Sequence, residues 1–286
     1  MLMSYQIDNF AAEEYRKSMR ADCANCFGLC CTALHIAASS DFAIDKPAGV
    51  LCPNLQSDFR CQIHSELRGK GFKGCTVFDC FGAGQQVSQV TFNGQDWRES
   101  KETANKMFSV FPVMVQLYEM LAYVTEAMSY RLPQDLHKKL TLQLKDLESL
   151  TILDADNLQT LDIMELRKPV NKLLSKTSSH IRHTITNSIP AKRKLNYRGA
   201  DWIGKSAKGK DLRAADFRGA YLIAADLKDA DLRAVDFIGA DLRDANLEGA
   251  NLSTSIFLTQ MQINSAQGNN QTQLPSHIIQ PSHWAS

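Results

Sequence analysis

The chain has 286 residues, 44% of them hydrophobic and 22% charged, with a formal net charge of +1. One hydrophobic core rarely grows past about 250 residues, so two domains are expected. The near-zero charge excludes a chain-wide bias towards nucleic acid or membrane surfaces, and the composition is that of an ordinary globular protein.

In chain order, "MLMSYQIDNFAAEEYRK" carries charges where a signal peptide needs an apolar run, so no export is expected. All eight cysteines follow before position 81: Cys23, Cys26, Cys30, Cys31, Cys52, Cys61, Cys75 and Cys80. Residues 1–98 also hold eight glycines, which suits an irregular fold around a staple. Cys23, Cys26 and Cys30 fall at i, i+3 and i+7, one face of a helix, with Cys31 adjoining. Buried inert cysteines do not usually crowd into one segment. Disulfides need an oxidising compartment, and the neighbours Cys30 and Cys31 would join only with strain. Metal ligation is the favoured reading for a thiol-rich segment in a reducing cytoplasm. Soft thiolates suit zinc and iron–sulfur centres alike. His64 beside Cys61 reads as a packing residue, and His35 has a weaker case as a ligand. "CFGAGQQVSQ", 80–89, lacks the third glycine and later acid of a dinucleotide fingerprint and reads as a tight turn beside the thiols.

The spacing C-x2-C-x3-C-C, then "LCPNL", "CQIH" and "CTVFDC", resembles a zinc- or iron-chelating domain family with a CxxCxxxCC signature. The resemblance covers about sixty residues and implies Cys23, Cys26, Cys30, Cys31, Cys52, Cys61 and Cys75 as ligands. Cys80 is a further thiol with no place in that signature.

Residues 99–188 contain neither cysteine nor glycine. Val110, Met114, Leu117, Leu121 and Val124 form a helical stripe. Gln116, Glu119 and Glu126 interrupt this apolar run, so a core helix is expected rather than a membrane span. Pro133 starts a second helix with a Leu136, Leu140, Leu144 and Leu147 stripe. A third is expected over 157–186, bent or interrupted near Pro169. Residues 165–213 carry thirteen Lys or Arg against three acids, a net of +10. A solvated basic face is the preferred reading; an anionic partner is the other.

From Leu195 the chain repeats every five residues, with central positions running from Tyr197 to Phe257 in thirteen units. Alanine recurs two places earlier and Asp or Asn one place earlier, as in Ala215, Asp216, Phe217. This resembles the pentapeptide-repeat family, A(D/N)LXX, and implies a right-handed, four-sided β-helix. Such a tube predicts a twenty-residue superperiod. Tyr197, Phe217, Phe237 and Phe257 are all aromatic, whereas Leu212, Leu232 and Leu252 are all leucine. The tail, with Leu274, Ile278, Ile279 and Trp284, is expected to cap the open end.

The expected fold class is α+β multidomain. A Cys-rich region (1–98) and a helical region (99–190) precede a pentapeptide β-helix (191–258) and a cap (259–286). The expected function is a cytoplasmic, metal-binding interaction module, non-enzymatic, whose solenoid faces meet a protein partner. The alternative is an iron–sulfur redox protein or oxidoreductase using the same cysteines. A DNA-mimicking topoisomerase modulator is disfavoured, because residues 195–258 hold ten acids and nine bases and so lack a rod of negative charge.

Overall fold

The computed structural model describes residues 19–186 and 194–284. The reading of the first seventeen residues, and Lys192 and Arg193 of the basic segment, lie outside the described residues. The chain divides into two compact units, Met1–Leu174 and Ser175–Ser286.

The first unit begins with short turns of helix: α1 (Leu29–Thr32), α2 (Lys73–Val77) and α3 (Ala83–Gln85). α3 runs straight into a π-helical stretch, Gln86–Thr91. A glycine in the left-handed region precedes both α1 (Gly28, φ 64°) and α3 (Gly82, φ 91°), a conformation that costs other residues about 1 kcal/mol.

The long helices follow. α4 (Lys101–Met128) starts at Ser100, whose side chain accepts the Thr103 N–H. Its length and apolarity would let it cross a bilayer by composition alone. Met107, Val110, Met114, Leu117 and Val124 are nevertheless fully buried along one side, where α5 (Gln134–Thr151) and α6 (Ala155–Gln159) pack. α5 contributes Leu136, Leu140 and Leu147 of its expected stripe to that core, and Leu144 is half-buried.

α7 (Ile163–Thr186) differs from expectation. It passes through Pro169 unbroken, and the interruption falls earlier, between Gln159 and Ile163. Asp162 decides this by taking the Glu165 N–H on its side chain at 3.1 Å, which starts a new helix just before the proline.

The second unit is the repeat. Residues twenty apart pair in parallel on all four sides, and the spacing lengthens to 21 and 22 only where the tail closes the last coil, at Asn246–Gln267 and Asn251–Gln273. The ladders are Asn196–Asp216–Asp236–Ile256, Asp201–Tyr221–Asp241, Ser206–Asp226–Asn246–Gln267 and Asp211–Asp231–Asn251–Gln273. The expected superperiod is therefore the coil length. Each pairing is a single-residue bridge, so the tube has turns and corners where a β-sheet would have extended strands.

Inside, Phe217, Phe237, Phe257, Leu222, Leu227, Leu232 and Leu252 are fully buried, with Ala215, Ala220 and Ala225 filling the narrow spaces between them. The aromatic stack is present: Tyr197–Phe217 centroids lie 5.0 Å apart and Phe217–Phe237 6.2 Å, with nearly parallel planes. Outside, the Asp or Asn side chains accept the N–H two residues on, as Asp231 does from Arg233.

The cap forms as the apolar tail residues predict. α8 (Gln260–Ser265) carries a Thr259–Gln262 capping box, and Gln262 also donates to the Phe237 and Ala240 carbonyls. Trp284 is buried and donates its indole N–H to the Ala266 carbonyl at 3.0 Å. Leu274 and Ile278 pack against the core, but Ile279 is 60% exposed. Its backbone accounts for this: Gln260 holds Ile279 through both its N–H and its carbonyl, which fixes the chain without burying the side chain.

Candidate functional site

Two local segments build the thiol region. "Cys26-Phe27-Gly28" and "Cys80-Phe81-Gly82" repeat the same three residue types, each ending on a left-handed glycine that opens a short helix. Backbone N–H groups of Leu29 and Gly28 favour the Cys26 thiolate, and those of Gly84 and Gly82 do the same for Cys80. The two sulfurs meet at one patch of backbone. A methyl on Gly84 would lie 2.7 Å from Cys26 Sγ and 3.8 Å from Cys80 Sγ.

Side chains after Cys80 strap the first cysteine loop in place. The Asp22 N–H donates to Gln85 Oε1 and the Phe27 N–H to Ser88 Oγ, both at 3.1 Å. Gln85 and Gln89 donate in return to the Arg20 and Asn25 carbonyls. Behind the loop, Trp97 donates to the Phe27 carbonyl at 2.8 Å; Phe59 packs tilted on Phe27 and edge to face with Trp97, and Arg98 lies over the Phe59 ring. "QQVSQ" is thus a brace; the tight turn expected over 80–89 is confined to Phe81–Gly82, and the left-handed Gly82 starts a helix that fills the rest of the stretch.

The other cysteines gather through a different route. Cys30 and Cys31 sulfurs are 3.9 Å apart. The Cys52 N–H donates to the Cys31 carbonyl at 2.9 Å, and Cys61 pairs with Leu55. Cys75 sits on α2, close enough for Cys30, Cys52 and Cys61 to add to the rise in its pKa. The eight thiols are free, with Cys52 buried and Cys23 and Cys75 exposed.

Burial raises most of these thiols. It lifts Cys26 and Cys75 each to about 12, and raises Cys23, Cys61 and Cys80. Cys30 rises well above its ordinary value, first through its contact with Cys31 and then through burial. Six thiols thus sit above their ordinary pKa. Among the described residues, no three His, Cys, Asp or Glu side chains are arranged to hold a metal ion. The donor chemistry still fits a thiophilic ion: many reduced sulfurs, and backbone N–H groups favouring two of the thiolates.

Sequence reasoning missed Lys46. Its side chain is buried, and Nζ donates to the carbonyls of Thr32, Leu34, Pro47 and Val50 at 2.6–3.2 Å. Burial lowers its pKa, while Cys52, Cys31 and Cys30 nearby push it back up. Nothing local in "DKPAG" marks this lysine.

The basic segment is partly spent on internal pairs. Arg167 binds Glu119, and Lys168 binds Glu165. In the second unit, Arg182 of α7 reaches Asp216 and the Ala214 carbonyl, and Arg218 joins Asp216, Asp236 and Ser175. On the repeat surface Arg213, Arg233 and Arg243 each clasp the Asp two residues before them.

The coil of twenty residues, four-sided and apolar inside, defines a pentapeptide-repeat protein. The pentapeptide-repeat family model matches eight copies over residues 211–254. Over 266 residues the chain is 53% identical to the Bacillus subtilis (strain 168) protein "Uncharacterized protein YybG", covering 93% of this chain and 95% of that protein, and it belongs to the same family. A crystal structure of a pentapeptide repeat protein from the Arabidopsis thaliana thylakoid lumen is 29% identical, with a TM-score of 0.22 over 28% of this chain and 55% of that chain.

Proposed function

We propose that this protein binds zinc or an iron–sulfur centre through its first unit and uses the repeat as a rigid surface for a protein partner. The observation that carries the reading is the pairing of the two Cys-Phe-Gly turns at Gly84, residues 54 positions apart in the chain brought together with both sulfurs reduced. A thiophilic ion would displace the protons that burial now holds on these sulfurs, and its binding energy would become folding energy for a segment made mostly of loops. Eight unpaired thiols suit a reducing compartment such as the cytoplasm.

We infer a binding role for the repeat from its outer faces, where Arg213, Arg233 and Arg243 each pair with an Asp. The Asp side chains are matched by guanidinium groups on two of the faces, which favours a partner that reads mixed charge over one that reads a polyanion or polycation.

The test is metal analysis and a visible spectrum of anaerobically purified protein. The reading expects stoichiometric zinc with a colourless solution, or iron, labile sulfide and a visible band. Metal-free protein whose eight thiols all react with a thiol reagent would overturn it.

A further inference from the structure

Resting on the metal-binding reading, the geometry points to two separate four-thiolate sites: Cys23, Cys26, Cys30 and Cys80 hold one ion, and Cys31, Cys52, Cys61 and Cys75 hold the other. The division assigns a role to Cys80, the thiol that the CxxCxxxCC signature leaves over.

The first group is defined by a brace. Gln85, Ser88 and Gln89, all within nine residues after Cys80, hold the backbone of Arg20, Asp22, Asn25 and Phe27 through four hydrogen bonds. Those bonds fix Cys23 and Cys26 against the Cys80 turn, and Gly84 is the point where two of the sulfurs meet. A side chain at position 84 would fill the space between them, which is why that position carries glycine. Cys23 and Cys26 each feel Cys30 and Cys80.

The second group is tied by backbone instead. Cys31 and Cys52 share a hydrogen bond, Cys52 accepts the Leu55 N–H, and Leu55 bridges to Cys61. Cys75 feels Cys30, Cys52 and Cys61, and Cys61 feels Cys52 ahead of Cys30 and Cys23. Lys46 lies on this side, near Cys52 and Cys31 as well as Cys30. The adjacent pair Cys30–Cys31, with sulfurs 3.9 Å apart, lies where the groups adjoin; four thiolates per site assign Cys30 to the group of Cys23 and Cys26, which it influences, and Cys31 to that of Cys52, which donates to its carbonyl. Four thiolates complete a closed tetrahedral site, and eight complete two.

The experiment uses the full chain, stripped of metal, reloaded anaerobically with zinc alone, alkylated and mapped by mass spectrometry. Wild type should hold about two zinc equivalents with all eight thiols protected. Cys80→Ser should fall to about one equivalent, exposing Cys23, Cys26 and Cys30 to the reagent while Cys31, Cys52, Cys61 and Cys75 stay protected. Cys75→Ser should give the reciprocal pattern. Gly84→Ala, which keeps every sulfur, should weaken only the first group. Full metal and full protection in Cys80→Ser, or labelling that spreads equally over both groups in the Gly84→Ala protein, would overturn the two-site assignment while leaving metal binding intact. A wild-type protein that takes up no zinc, and none of whose thiols is protected, would overturn the metal-binding reading itself.

Discussion

The two units are held together by opposite means. In the repeat, every five residues restate the same rule: a small residue, an Asp or Asn, a large apolar residue, then a corner. Each rule is satisfied by a neighbour one coil away, at a fixed separation of twenty residues. The thiol region has no such period. Its order comes from single long-range contacts, such as Trp97 to Phe27 or Ser88 to Phe27, each made once. A repeat tolerates the loss of one contact because others copy it; a unit of unique contacts needs each of them, or a cross-linking ion.

The largest way to break this comparison is inside the tube. Ala225→Arg buries an unpaired charge where the side chain is fully enclosed, at a cost on the order of 5 kcal/mol or more. Circular dichroism and proteolysis should show the repeat melted and the helices of the first unit intact. A normally folded repeat would show that Ala225 does not point inward.

Lys46→Met attacks the other unit. It leaves four carbonyls without their donor and should cost about 2–4 kcal/mol in urea unfolding of the first unit, leaving the repeat's midpoint unchanged. An unchanged first transition would mean that water replaces the ammonium.

Asp236 gives a pH test within the repeat. Burial raises its pKa to about 6, although Ser178, the Ile238 N–H and Arg218 pull it down. A carboxyl raised above its unfolded value of 3.8 adds stability that is complete below that value and is lost as pH rises through about 6. Asp216 works in the other sense. Burial alone would raise it, but Arg218 and Arg182 hold it below its ordinary value, so its contribution is present near neutrality and lost in acid. Asp236→Asn should therefore stabilise the repeat by on the order of 1–3 kcal/mol at pH 8, with wild type and variant converging near pH 4. A gap that is the same at both pH values would place the carboxylate in solvent.

The smallest effect sharpens the corner rule. Ala224 is exposed with φ of 53°, a conformation glycine adopts freely. Ala224→Gly should change thermal stability by no more than about 1 kcal/mol, in the stabilising direction.

What was legible in the sequence follows the same divide. The coil length, the aromatic stack and the alanine positions could be read because the repeat states them many times. The helical stripes of α4 and α5 were legible for a similar reason, a period of 3.6. The thiol region was legible only as a count and a clustering. Cys80 could not be placed, because its partner loop lies more than fifty residues away and is reached through glutamine and serine side chains that carry no signature. Lys46 was invisible for the same physical reason: a charge buried by four carbonyls depends on folded geometry, which no local pattern encodes. The break before α7 was misplaced because Pro169 is conspicuous, whereas the Asp162 cap that sets the boundary is an ordinary residue in a useful position.

The most direct test of the account is hydrogen–deuterium exchange on the full chain before and after a strong chelator. If an ion holds the first unit and repetition holds the second, chelation should collapse protection across residues 20–98 and leave the coils from Tyr197 to Gln273 as slow as before. Protection unchanged in the thiol region, with no metal released into the chelator, would contradict it.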